Sequence, residues 1–212
     1  VFAIPSSLVI TVTAGGLPSV TKTKRIYSHG TDLDAVDRLN ALAREICAER
    51  PEAARIGARL AEIRGRPGYT PRQMTAAGAL CAAMFVLLFG GSPTDALFGV
   101  LIGAVLKAGV GRLERMNAGL MLTNILGGAI CALCSMGAGL LLPSTATGVL
   151  IISTLMLLVP GISITNSMRD LIAGDIVTGM MKLTEALLIA TGISIGVMVT
   201  LTLWRAATGV ML

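Results

Sequence analysis

From residue 73 onward the chain is a succession of long apolar stretches, and nothing else in it constrains the fold as much. Five can be marked out, at about 73–90, 94–110, 117–141, 145–160 and 176–204. A helix rises about 1.5 Å per residue, so each can cross roughly 30 Å of hydrocarbon, the fourth only just. In lipid every backbone N–H and C=O must find its partner inside the protein, so such stretches are expected to be helices. Composition agrees: of 212 residues 54% are hydrophobic and 14% charged, and glycine is plentiful at 25. A mean hydropathy of +0.80 places the chain with packed membrane helices. The breaks are GGSP, GRLERMN, LPST and a longer segment after Val159.

The first 72 residues are different. They hold 11 of the 17 Lys and Arg and 7 of the 12 acids. The β-branched run SSLVITVTA (6–14) reads as a strand, AGGLP (14–18) as a turn and SVTKTKRIYS (19–28) as a second strand. Leu33, Val36, Leu39, Leu42 and Ile46 then recur at helical spacing, with Thr31 or Asp32 as N-cap. Pro51 can open a second helix with Ile56, Leu60 and Ile63 on one face. RGRPGYTP (64–71) is a linker. The expected fold class is therefore mainly α, a small cytosolic α/β domain (1–72) preceding a polytopic membrane domain (73–212) with five transmembrane helices. The first residue is Val1, which suggests that the α/β domain is truncated at its start, and no signal peptide is evident.

Charge sets the expected orientation. Lys107, Arg112, Arg115, Arg169 and Lys182 fall on one side of the five spans, with Arg64, Arg66 and Arg72 before the first. Only Arg205 falls opposite. The positive-inside rule then puts the N-terminus in the cytosol and the C-terminus outside. The net charge of +5 is no nucleic-acid signature, because the bases are interspersed with acids and no aromatic residues interleave with them. Cys131 and Cys134 form a CxxC on paper, but within a membrane helix it reads as small-residue packing. No metal site and no cofactor are expected. His29 reads as a solvated turn residue. Small residues four apart, Gly99 and Gly103, Ala104 and Ala108, Gly192 and Gly196, let helices approach closely. They suggest a compact bundle and leave room for a homo-oligomer.

The segment LLVPGISITNSMRDLIAGDIVTG, 157–179, concentrates the chemistry. Pro160 must interrupt a helix and Gly161 permits the backbone that follows. SITNSMRDLIAG can form a short helix with Asn166 and Asp170 on one face. Gly174 can end it, and Asp175 can cap the next helix. An ordinary capped loop accounts for this much. The five charges Arg169, Asp170, Asp175, Lys182 and Glu185 would, however, cost roughly 12–17 kcal/mol if all faced lipid. They must lie at an interface, be paired, or line an aqueous cavity, as transporter sites built on broken helices do. The candidate substrate-binding set is Pro160, Gly161, Asn166, Arg169, Asp170 and Asp175. Arg169 can grip a carboxylate with two hydrogen bonds, while Asp170 and Asp175 can accept an ammonium, a combination suited to a zwitterionic amino acid. A dicarboxylate would want a second cation, Lys182 or Lys107. Asp170, Asp175 and Glu185 are candidate carriers of a coupling proton.

The pattern PG-x4-N-x2-RD-x3-GD-x3-G, from Pro160 to Gly179, resembles the bacterial threonine/serine exporter family. So do LDAVDRLNALAREI (33–46), LAEI (60–63), Tyr69 before the first span, and LLFGGSPTDALFGVLIG (87–103). The resemblance covers nearly the whole chain, as an N-terminal half or a YjjP-type subunit. It implies a cytosolic N-terminal domain joined to about ten spans in two halves, the second fused or supplied as a YjjB-type membrane subunit. An odd number of spans would set the halves in inverted orientation. It implies export of threonine or serine across the bacterial inner membrane or, in the split type, of succinate. The expected function is accordingly a secondary transporter subunit rather than an enzyme, with membrane lipids, a small-molecule substrate and a second membrane half as partners. The alternatives are a succinate exporter subunit and a membrane-anchored enzyme or regulatory subunit. Residues 1–72 show no nucleophile and base arranged for catalysis.

Overall fold

The computed structural model describes residues 1–13, 18–26 and 32–209. Most of the expected turn at 14–18, the end of the expected strand at 27–28, His29 and Thr31 lie outside them. The described chain is mainly helical (73%), with eight helices and one small sheet, and divides into two compact units, Val1–Tyr69 and Thr70–Leu212.

In the first unit, β1 (Phe2–Ile4), β2 (Ser7–Val12) and β3 (Val20–Arg25) form an antiparallel sheet in that order. Phe2 lies opposite Val9, and Ser7 opposite Arg25. The sequence reading placed β2 and β3 but not β1, whose three residues are too few to show an alternation. α1 (Leu33–Glu49) starts at Asp32, which caps it by accepting from the Ala35 N–H at 3.0 Å. α2 (Ala53–Arg64) begins two residues after Pro51, with Glu52 rather than the proline at its mouth. Arg55 ties the two helices together through Glu45 at 3.0 Å. Among the described residues of this unit only Leu42 is buried, and Leu33 and Val36 of the same helix are exposed. The core here is thin.

Among its described residues the second unit contains four helices long and apolar enough to cross a membrane. These are α3 (Pro71–Leu88), α4 (Pro93–Arg115), α5 (Leu120–Leu141) and α8 (Ile176–Thr208). α3 and α4 both open with a capping box and a proline in the first turn: Thr70 with Gln73, and Ser92 with Asp95. Their start signals are local, which is why they fall where turn chemistry places them. The expected glycine contacts are present. A side chain at Gly99 or Gly103 would strike α3 around Ala82, Ala83 and the Gly78 carbonyl. One at Gly192 or Gly196 would strike the α5 backbone at Met121 and Ile125. Val86, Ile102, Ala138 and Leu150 close the centre of this unit.

The expected crossing at 145–160 takes another form. It is α6 (Thr147–Leu155), nine residues long, a rise of only about 14 Å. The reason is Pro160. It has no N–H for the Met156 carbonyl, and its ring would collide with that carbonyl, so regular helix stops at Leu155. Three turn residues continue the path. Thr147 lies beside Gly139, and Leu158 beside Gly127, so the segment runs antiparallel along α5. α7 (Gly161–Ile172) then folds back on the first part of α8.

Candidate functional site

The break after α6 delivers the chain into a helical hairpin. Pro160 occupies the N-cap of α7, with its side chain making no capping hydrogen bond. Gly174 ends the hairpin's first arm at φ +88°, a left-handed conformation that glycine adopts without strain. Asp175 then caps α8 by accepting from the Thr178 N–H at 3.3 Å. The arms are in close contact. A Cβ on Gly179 would lie 2.7 Å from Leu171 Cγ and 3.0 Å from the Ser167 carbonyl, so glycine is what lets α8 approach α7 here.

One cluster of charge spans the arms. Lys182 Nζ of α8 donates to Asp170 Oδ2 of α7 at 2.7 Å. Arg169 Nη2 stands 3.7 Å from the other carboxylate oxygen. The Asp170 side chain is only 15% exposed, that of Lys182 29%, and that of Arg169 75%. Lys182 first, and then Arg169, hold the Asp170 carboxyl below the usual carboxylate range against the opposing cost of burial. Two cations therefore share one carboxylate, and the outer cation is open to solvent.

The candidates distribute unevenly around this cluster. Arg169 and Asp170 belong to it. Asn166, half-buried, sits one turn earlier on the Asp170 face and makes no side-chain hydrogen bond among the described residues. Asp175 is exposed at the hairpin turn, with one oxygen engaged in capping. Glu185 lies three residues past Lys182 and is half-buried. Pro160 and Gly161 stand at the far end of α7, about 14 Å of helix from Asp170. Of the two cations considered for a dicarboxylate, Lys182 is in the cluster. Lys107 lies across α3, its stem over Gly78.

Further polar residues are buried in the bundle, and the sequence does not single them out because a lone hydroxyl or amide in an apolar run carries no spacing signal. Ser153 and Thr154 of α6 are fully buried and donate to their own helix at Val149 and Leu150, 2.7 and 2.8 Å away. The buried Ser135 Oγ of α5 has no hydrogen-bond partner among the described residues. Asp95 is 3% exposed and accepts from both the Ser92 N–H and, at 3.3 Å, the Ala146 N–H, fastening the start of α4 to the entrance of α6. Among the described residues no three His, Cys, Asp or Glu side chains gather as metal ligands would.

Comparison with known proteins follows the same lines. The family model described as "Putative threonine/serine exporter" matches residues 1–204. A curated relative from Mycobacterium tuberculosis (strain ATCC 25618 / H37Rv), titled "Probable threonine/serine exporter", is 26% identical over 186 residues. That alignment covers 87% of this chain and 35% of the relative, so the chain spans about a third of the relative's length. No solved structure matches.

Proposed function

The chain belongs to the threonine/serine exporter family, and from that premise we propose that it is part of a secondary transporter exporting a small polar metabolite across the inner membrane, threonine or serine first. The observation that carries the reading is the Arg169–Asp170–Lys182 cluster on a hairpin entered through a proline break. The exposed Arg169 offers a carboxylate grip. An ammonium group could then compete with Lys182 for Asp170. Exchange of an internal cation for a substrate cation would couple loading to loosening of the hairpin. With Asp170 held ionised by two cations, the coupling proton falls to Asp170 only when Lys182 withdraws, and otherwise to Asp175 or Glu185.

In this reading residues 1–69 are cytosolic. The basic ends of α3 and α4 face the same side, and the α6 segment completes a fifth crossing that carries α7 back to the cytosolic surface. The C-terminus lies outside, and a second membrane half, fused or separate, completes the pathway. One feature favours a dicarboxylate such as succinate instead: the cluster supplies two cations and one anion, not the reverse.

Efflux from cells loaded with labelled threonine or labelled succinate separates the two, using the full-length protein with its neighbouring subunit. Threonine efflux that Arg169→Ala lowers by about tenfold, the value of one lost charged hydrogen bond, supports the amino-acid reading. Succinate efflux lost in the same variant moves the assignment to dicarboxylates. Efflux of neither from well-inserted protein would sink the exporter reading.

A further inference from the structure

A second collection of charge lies away from the hairpin, between α3 and α4. A cavity of about 570 Å³ opens there, within the range that small ligands occupy. Arg72, Lys107, Arg112 and Arg115 line it, with Glu114 as the one acid. Among the described residues none of these four cations is in an ion pair. Arg112 reaches back only to its own helix, donating to the Ala108 carbonyl at 3.2 Å. Lys107 is held in place by packing, because a side chain at Gly78 would strike its Cγ. Four cations against one acid around one hollow leave an excess of positive charge, and an anion relieves the repulsion.

The rest of the lining says which kind of anion. The cavity walls include Met74, Ala79, Ala104 and Val110, an apolar surface unsuited to a fully hydrated ion. From its mouth two exposed apolar tracks lead along the spanning helices. On α3, Arg72 and Ala76 continue into Leu80 and Met84 at four-residue steps, the last two 59% and 58% exposed. On α4, Arg112 and Ala108 continue into Val105, Leu101 and Leu97, between 51% and 64% exposed. Residues spaced three and four apart share one helix face. A cationic pocket at the end of two hydrocarbon tracks matches an amphiphile with a negative head and long chains. We propose that this cavity binds an anionic phospholipid, its phosphate among Arg72, Lys107, Arg112 and Arg115 and its acyl chains along the outer faces of α3 and α4. Juxtamembrane basic pockets between helices are suited to anionic headgroups on general electrostatic grounds.

Native mass spectrometry of the detergent-purified full-length protein tests this without reference to export, so its outcome is independent of the transport reading. Phosphatidylglycerol and phosphatidylcholine of matched chains are titrated in turn. Phosphatidylglycerol is expected to bind at least about tenfold more tightly, and each cation replaced, in R72Q, K107Q and R115Q, to cut the preference by about fivefold. E114Q, which removes the one acid, should keep or strengthen it. Equal binding of the two lipids, preference surviving the triple replacement, or loss of preference in E114Q would overturn the proposal. So would displacement of phosphatidylglycerol by inorganic phosphate or succinate at a few millimolar, which would mark the cavity as a site for soluble anions.

Discussion

The two ends of α8 hold their neighbours by different means. Toward the C-terminus, Gly192 and Gly196 bring its backbone against that of α5, where Met121 and Ile125 carbonyls occupy the space a side chain would need. Contact of that kind is van der Waals packing over a long seam. Toward the N-terminus, α8 meets α7 around a glycine notch at Gly179 and the Asp170–Lys182 ion pair. Large apolar residues there, Ile172, Ile176, Val177 and Met180, are exposed. One 33-residue helix is thus seated on backbone at one end and on side chains at the other, and in the proposed mechanism the second end is the releasable one. On α8 the charges Lys182 and Glu185 fall toward this N-terminal end, and elements that move come from the less stable parts of a fold.

The largest effect is expected at the fixed end. Gly196→Leu must push α8 off α5, and overpacking of this type costs roughly 1–3 kcal/mol or more. The expected outcome is loss of monodisperse protein on size exclusion, with little recovered from the membrane. At the releasable end the effect should shift from stability to function. Arg169→Ala removes a side chain 75% exposed, so the unfolding free energy should stay within about 0.5 kcal/mol of wild type while export falls. A fall in both together would make Arg169 a packing residue.

Much of this was legible in the sequence, and the losses have identifiable causes. The α7 helix, its glycine stop and the Asp175 cap followed from local chemistry: a left-handed position needs glycine, and an N-terminus takes an aspartate. The capping boxes at Thr70 and Ser92 set the starts of α3 and α4 two and one residues earlier than the hydropathy did. That the 145–160 stretch is not one continuous helix was not legible there, because hydropathy counts apolar residues whereas Pro160 acts on the carbonyl four positions back. The Asp170–Lys182 pair could not be read from spacing, since it joins two helices across a turn. With Lys182 assigned to Asp170, the cluster changes from one cation with two anions to two cations with one.

Acid should sharpen the difference between the ends of α8. The Asp170 carboxyl is lowered in the folded chain, first by the hydrogen bond from Lys182. A lowered carboxyl contributes stability that is present above its unfolded pKa and is lost as pH falls through the folded value. The α7–α8 contact should therefore loosen below about pH 4, seen as faster amide exchange in α7, while the α5–α8 seam stays protected. Lys182→Met should remove most of that pH dependence. The smallest effect belongs to the first unit. Asp34 and Arg38 form an exposed pair at 2.8 Å one turn apart, and Arg38→Ala should leave export and thermal unfolding unchanged within error.

The most direct test of the hairpin as the working element is labelled-threonine efflux in four forms: wild type, Asp170→Lys, Lys182→Asp, and the double exchange. Each single form places like charges across the 2.7 Å contact, and should lose export by at least about tenfold, whereas the exchange restores the pair and should recover a substantial part of it. Wild-type efflux in both single forms, with insertion intact, would contradict the account.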